Sequence, residues 1–240
     1  MHHRLFPLLA LGFALSAILA CGDDVTDPDG LMESAEAEAV MRSADALPLL
    51  PSLLDTVDDG QRAHATLLRA RELWDAGATG NDARAAARRR LAVGYALPAL
   101  AEHVPAPTWI EARERTDDWM ATAGAMLRHL SMPRVEARLD AAAEHLRRSD
   151  AALSQQNQIY HLLLAGSELV ETTPRYVART MAAEATLAVR EAEEREGPLP
   201  GDAVERAQRL KDWAVAAVEE GEYLLAIQRA YYAIQLVEDR

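Results

Sequence analysis

Between residues 135 and 153, apolar or small side chains recur at steps of 4, 3, 4, 3 and 4: Val135, Leu139, Ala142, Leu146, Ser149 and Leu153. At 3.6 residues per turn this spacing lines one face of an α-helix, whereas in a strand it would scatter over both faces. Trp109, Arg113, Thr116, Met120, Ala123, Leu127 and Leu130 follow the same steps with one weaker place. Ile159, Leu162, Leu163, Gly166, Leu169 and Val170 make a wider stripe. No stretch alternates apolar and polar residues between turn signals, as a half-buried strand would. The chain is therefore expected to be all-α.

Local chemistry marks where the helices begin and end. Gly77 and Gly80 are expected to close one helix, with Asp82 capping the next. Pro105 and Pro107 separate another pair, beside Thr108. Ser131 before Pro133 and Thr173 before Pro174 resemble N-caps followed by a proline in the first turn. Gly197-Pro198 ends a long helix, and Asp202 with Glu205 has capping-box spacing. The resulting segments are 31–45, 47–56, 59–77, 82–103, 108–130, 133–151, 154–171, 174–196, 202–220 and 222–238, with Pro98 expected to kink or split the fourth. Short connections make neighbours antiparallel. Hairpins spaced about 40–50 residues apart predict either a stacked α-α array or an irregular bundle.

One hairpin has a familiar pattern. In residues 210–237, Leu210, Trp213, Ala214 and Ala217 fall on the first helix, Gly221 and Tyr223 at the turn, and Ala226, Ile227 and Ala233 on the second. This unit resembles a single tetratricopeptide repeat, in which small residues let the helices approach while Trp213 and Tyr223 fill the adjacent gaps. Ala230 stands where that repeat usually has a large aromatic, and no proline closes the unit.

The N-terminus carries a different signal. Arg4 precedes an apolar run from Leu5 to Ala20, roughly 16 residues, which suits a secretory leader and is short for a membrane span. Asp23, Asp24 and Asp27 follow it, where a stop-transfer helix would carry basic residues. Ile18-Leu19-Ala20-Cys21 resembles the lipobox of bacterial lipoproteins. That resemblance implies cleavage between Ala20 and Cys21 and acylation of the Cys21 thiol, the only cysteine in the chain. Two or three acyl chains would then anchor the protein, since one chain holds only marginally. Gly22 after the cysteine favours the outer membrane, with the inner membrane or cell surface as alternatives. Residues 21–30 read as an acidic flexible tether, and 31–240 as a single helical domain.

Composition narrows the partners. The chain has 38 acidic against 25 basic residues, a net charge of −13. Arg4 is the only charged residue of the leader, so cleavage leaves a still more acidic body. Such a body repels phosphate backbones and anionic lipid surfaces, which argues against nucleic acid and leaves the acyl chains to hold the membrane. With no second cysteine, the body must be stabilised by burial instead of disulfides.

No motif of known chemistry stands out. His64, His103, His129, His145 and His161 sit singly on five helices, without the spacings of a zinc or di-iron site. Glu168 with Glu171, and the run Glu191 to Glu196, read as solvated helix faces. Nucleophile-elbow and phosphate-loop patterns are absent. Arg84, Arg88, Arg89 and Arg90 form the most basic cluster, and read first as an exposed flank. Arg84 and Arg88 share a face that could dock an anion or an acidic partner. Tyr223, Ile227, Tyr231 and Ile234 line one side of the last helix with Tyr232 turned away. Tyr223, Tyr231 and Tyr232 are candidate partner contacts if they line a groove. The expectation is a lipid-anchored, non-catalytic helical scaffold that binds another envelope protein or a peptide, with no cofactor. A bundle binding a small molecule or haem, around Trp74, Trp109, Trp119 or scattered histidines, is the alternative. A hydrolase with a spatially assembled site is a third possibility.

Overall fold

The computed structural model describes residues 34–57, 64–78, 83–127, 132–194 and 201–238. Ala20, Cys21, Gly80, Asp82, His129, Leu130, Ser131, Gly197 and Pro198 lie outside them, and with them the expected leader, cleavage site and tether and five of the expected turn residues. By contact the chain divides into residues 1–42 and 43–240. Helix α1 (Ser34–Asp45) crosses that boundary, and its part in the first unit carries an exposed Glu38–Arg42 pair at 3.2 Å.

The described residues are helical, without a strand. In the second unit a short α2 (Leu50–Leu54) precedes α3 (Ala65–Ala78), α4 (Ala83–His103), α5 (Ala106–Leu127), α6 (Pro133–Ala151) and α7 (Gln155–Leu169). A 3-10 turn at Val170–Thr172 leads into α8 (Pro174–Glu194), α9 (Gly201–Glu220) and α10 (Tyr223–Glu238). The all-α expectation therefore holds. α3 pairs with α4 and α6 with α7, and these two hairpins meet where α4 packs on α7. α8, α9 and α10 pack on one another as a three-helix group.

That group follows directly from residue spacing. Buried Ala178, Ala182, Ala185, Val189 and Ala192 step by 4, 3, 4 and 3 along α8, and Ala226, Ala230, Ala233 and Val237 do the same along α10. Small side chains in the seam let the helix backbones come close, with ridges of one helix in the grooves of the next. Gly221 turns α9 into α10 at φ +84°. Its N–H donates to the Val218 carbonyl at 3.3 Å, and the Glu222 N–H reaches back to Ala217 at 2.9 Å. This is the Schellman closure, and glycine adopts its left-handed residue without a Cβ clash.

Several expectations change in detail. α4 runs unbroken through Pro98. Leu153, the last member of the opening stripe, lies beyond the end of α6 and is fully exposed, because the helix stops at Ala151. The inward face of α5 is turned one place from the expected one: Ala112 and Trp119 are buried with Trp109, Thr116 and Ala123. Arg113 instead bridges Asp117, at 3.0 Å, and Asp150 on the surface. Thr173 precedes α8 as expected, but its hydroxyl donates back to the Val170 carbonyl at 2.8 Å instead of capping. A side-chain cap does form at Ser154, which accepts from the Asn157 N–H at 3.3 Å. Trp213 does not fill a gap in the α9–α10 hairpin: it is exposed, with the Arg229 guanidinium 5.7 Å from its ring centre.

Gly77 lies within α3 and does not close the helix in a left-handed turn. A Cβ placed there would stand 2.7 Å from the Ala85 carbonyl oxygen and 2.9 Å from Arg89 Cγ. The residue is glycine because α3 and α4 cross in contact at this point. Gly77→Ala is expected to cost about 1–3 kcal/mol by forcing the helices apart, measured as a shift of the urea midpoint. A change within experimental error would mean that the crossing yields freely.

Candidate binding groove and the buried ion network

α4 presents Ala85, Arg89, Ala92, Ala96 and Leu100 to the interior, so Arg89 occupies a place that the pattern reserves for an apolar side chain. It is 1 % exposed, and Glu168 and Glu171 are each 2 % exposed. The expectation of solvated carboxylates fails for these two because α7 is buried on every side from Leu162 to Leu169. Arg89 likewise departs from the exposed basic flank.

These charges are paired oxygen by oxygen. Glu168 Oε1 accepts from Arg90 Nη2 at 2.7 Å, and its Oε2 from Arg138 Nη1 at 2.7 Å. Glu171 Oε2 accepts from Arg138 Nε at 2.8 Å, and its Oε1 from Arg89 Nη2. Arg89 also donates to the Gly77 carbonyl at 2.7 Å and the Ser167 carbonyl at 3.1 Å. An alternating chain, Arg90–Glu168–Arg138–Glu171–Arg89, thus ties α3, α4, α6 and α7 together. Nearby, Trp119 Nε1 donates to the Thr172 hydroxyl at 2.9 Å, which in turn donates to the Leu169 carbonyl at 2.8 Å.

Burial alone would push the Glu168 carboxyl up. Hydrogen bonds from Arg90 and Arg138, with their charges, overcome this and hold it below the usual carboxylate range. A depressed folded value adds stability above the unfolded value of about 4.3, and that stability is lost as pH falls through the folded value. The unfolding free energy should therefore decline below about pH 4, and the decline should be shallower in Glu168→Gln. Equal slopes in parallel acid titrations would contradict this.

His145 and His161, on different helices, come together with ring centres 5.7 Å apart and planes 27° apart. Burial pushes the His145 imidazole down, against the pull of Glu168. Among the described residues, no group of three or more His, Cys, Asp or Glu side chains is arranged to hold a metal ion. Trp74 and Trp119 are buried in the core; Trp109 is buried beside an open cavity of about 750 Å³ between α5 and the α6–α7 turn. Trp109 Nε1 has no hydrogen-bond partner there.

The second opening is a groove of about 510 Å³ between the start of α6 and the flanks of α8 and α10. Met181, Leu187, Tyr231 and Ile234 give it an apolar lining. Arg134, Arg138, Glu171 and Tyr176 stand at one end, and Glu184, Glu191 and Glu238 line it toward the other. Burial, followed by the Glu171 charge, raises the Tyr176 hydroxyl above its ordinary value, so it stays a neutral donor at physiological pH.

The candidate residues divide accordingly. Tyr231 lines the groove, Tyr223 packs against the adjoining core, and Tyr232 sits edge-on to Tyr231 at 5.7 Å without lining the groove. Arg84 and Arg88 lie exposed at the start of α4, where Arg88 donates to the Ala76 carbonyl at the end of α3, at 3.2 Å. The chain matches no protein-family model, no curated protein and no solved structure.

Proposed function

We propose that this protein is a lipid-anchored, non-catalytic binding module of the cell envelope, whose groove between α6, α8 and α10 holds a segment of another envelope protein. The groove itself carries the reading: an open, apolar-lined channel with charged ends, beside Tyr231, and with no converging nucleophile and base among the described side chains that line it. Apolar lining with a few polar groups at the ends is the usual composition of a recognition site. The anchor is supported by Ile18-Leu19-Ala20-Cys21 after an apolar leader. A small-molecule ligand is the second reading, favoured by the unpartnered Trp109 Nε1 beside its cavity. A ligand mass retained on the purified protein in native mass spectrometry would favour that reading.

Two experiments test the proposal. A photoreactive phenylalanine analogue replacing Leu187, which is 48 % exposed in the groove, should cross-link an envelope protein in intact envelopes. The same analogue replacing the exposed Leu68 on α3 serves as control. No protein adduct above that control would overturn the groove reading. Cys21→Ser should accumulate full-length precursor lacking the N-terminal acyl mass, and processed, acylated protein from this variant would overturn the anchor.

A further inference from the structure

We infer that the segment held in the groove is a basic amphipathic helix; this rests on the reading that another protein occupies the groove. The α8 residues that line it run from Tyr176 to Glu191. At 1.5 Å rise per residue this is about 22 Å, or four helical turns. Val189 and Ala192 of α8 pack with Val237 of α10, so the C-terminal ends of these two helices lie together. Helix dipoles place partial negative charge at both of those ends. Glu184, Glu191 and Glu238 are exposed along the same part of the groove, and none forms an ion pair among the described residues. Two arginines line the opposite end: Arg138 is held by Glu168 and Glu171, and Arg134 stands one turn before it on α6, beside Tyr176 and away from the three glutamates.

The shape selects the form of the occupant. All three walls are helices, which pair their backbone groups internally, so an extended segment would find no strand edge to pair with. A helix satisfies its own backbone and can lay leucine-like side chains, three and four apart, onto Met181, Leu187, Tyr231 and Ile234. Lysine or arginine on its flank would then face the three glutamates. Anionic lipid and nucleic acid carry the wrong charge for this rim.

The test uses the acylated protein in detergent and a fluorescein-labelled 15-residue peptide with leucines on one face and lysines on the other. A twin peptide carries glutamate in place of lysine, and binding is read by anisotropy. The lysine peptide should bind about tenfold or more tighter than its twin, equivalent to about 1.4 kcal/mol. Glu184→Gln, Glu191→Gln and Glu238→Gln together should remove most of that difference. The control triple Asp75→Asn, Glu219→Gln and Glu220→Gln, exposed and outside the groove, should leave it within about twofold. Circular dichroism confirms that both triples stay folded. Equal loss in the two triples, or no preference for lysine, would overturn the inference. So would a segment cross-linked at Leu187 that proves neutral or acidic, or that belongs to a second copy of this chain through a non-basic stretch; the protein-binding reading would survive those last results. Absence of any protein adduct would remove both.

Discussion

Glu171→Ala should lower the unfolding free energy by about 3–5 kcal/mol, because it leaves the Arg89 guanidinium buried at 1 % exposure without its carboxylate. Arg138 would lose one of its two partners in the same step. The cost comes from stranding charge, not from the intrinsic worth of the pair, so Glu171→Gln, which keeps the shape, should still be strongly destabilising. Arg90→Ala provides the contrast. Its side chain is half-exposed, and water can replace much of what it gives Glu168, so about 1 kcal/mol or less is expected. Urea unfolding of the three variants checks the ranking. Equal losses for Glu171→Ala and Arg90→Ala would show that Arg89 is not isolated from water.

Trp119→Ala is expected to cost a similar amount, about 3–5 kcal/mol, for a different reason. The indole is fully buried, so truncation leaves a cavity that the surrounding helices fill only in part. Trp119→Phe separates the two contributions. It keeps most of the volume and loses the bond to the Thr172 hydroxyl, so it should cost about 1 kcal/mol. If the phenylalanine variant were as unstable as the alanine one, the hydrogen bond to the 3-10 turn would outweigh the packing.

Periodicity located the helices well, since burial along one face leaves a direct imprint on residue order. Ala178 to Ala192 and Ala226 to Val237 are plain examples. It did less well on α5, where Arg113 and Met120 took places that belong to Ala112 and Trp119. A long side chain at the border of a stripe fits either face by spacing alone. The ion network ran against the expectation that Glu168 and Glu171 are solvated, although the sequence around them carries a signal of burial. Leu162 to Val170 is apolar nearly all round, and a helix of that kind is buried, so carboxylates at positions 168 and 171 had to find partners. Which arginines would answer was not written locally: Arg89 meets Glu171 across 82 residues of chain. Gly77 shows the same limit, since its close contact is with Ala85 and Arg89 of the next helix. The groove was legible only through Tyr231 and Ile234 on its last helix, because its walls come from three helices distant in sequence.

The alternation of arginine and glutamate also bears on registry. Leucine and alanine seams tolerate sliding by one turn, since a similar side chain arrives at each place. Sliding α6 along α7 by one turn would carry Arg138 away from its place between Glu168 and Glu171, and leave at least one carboxylate buried without a donor. The charges therefore act less as glue than as a key, admitting one alignment of these helices among several that the apolar seams would accept.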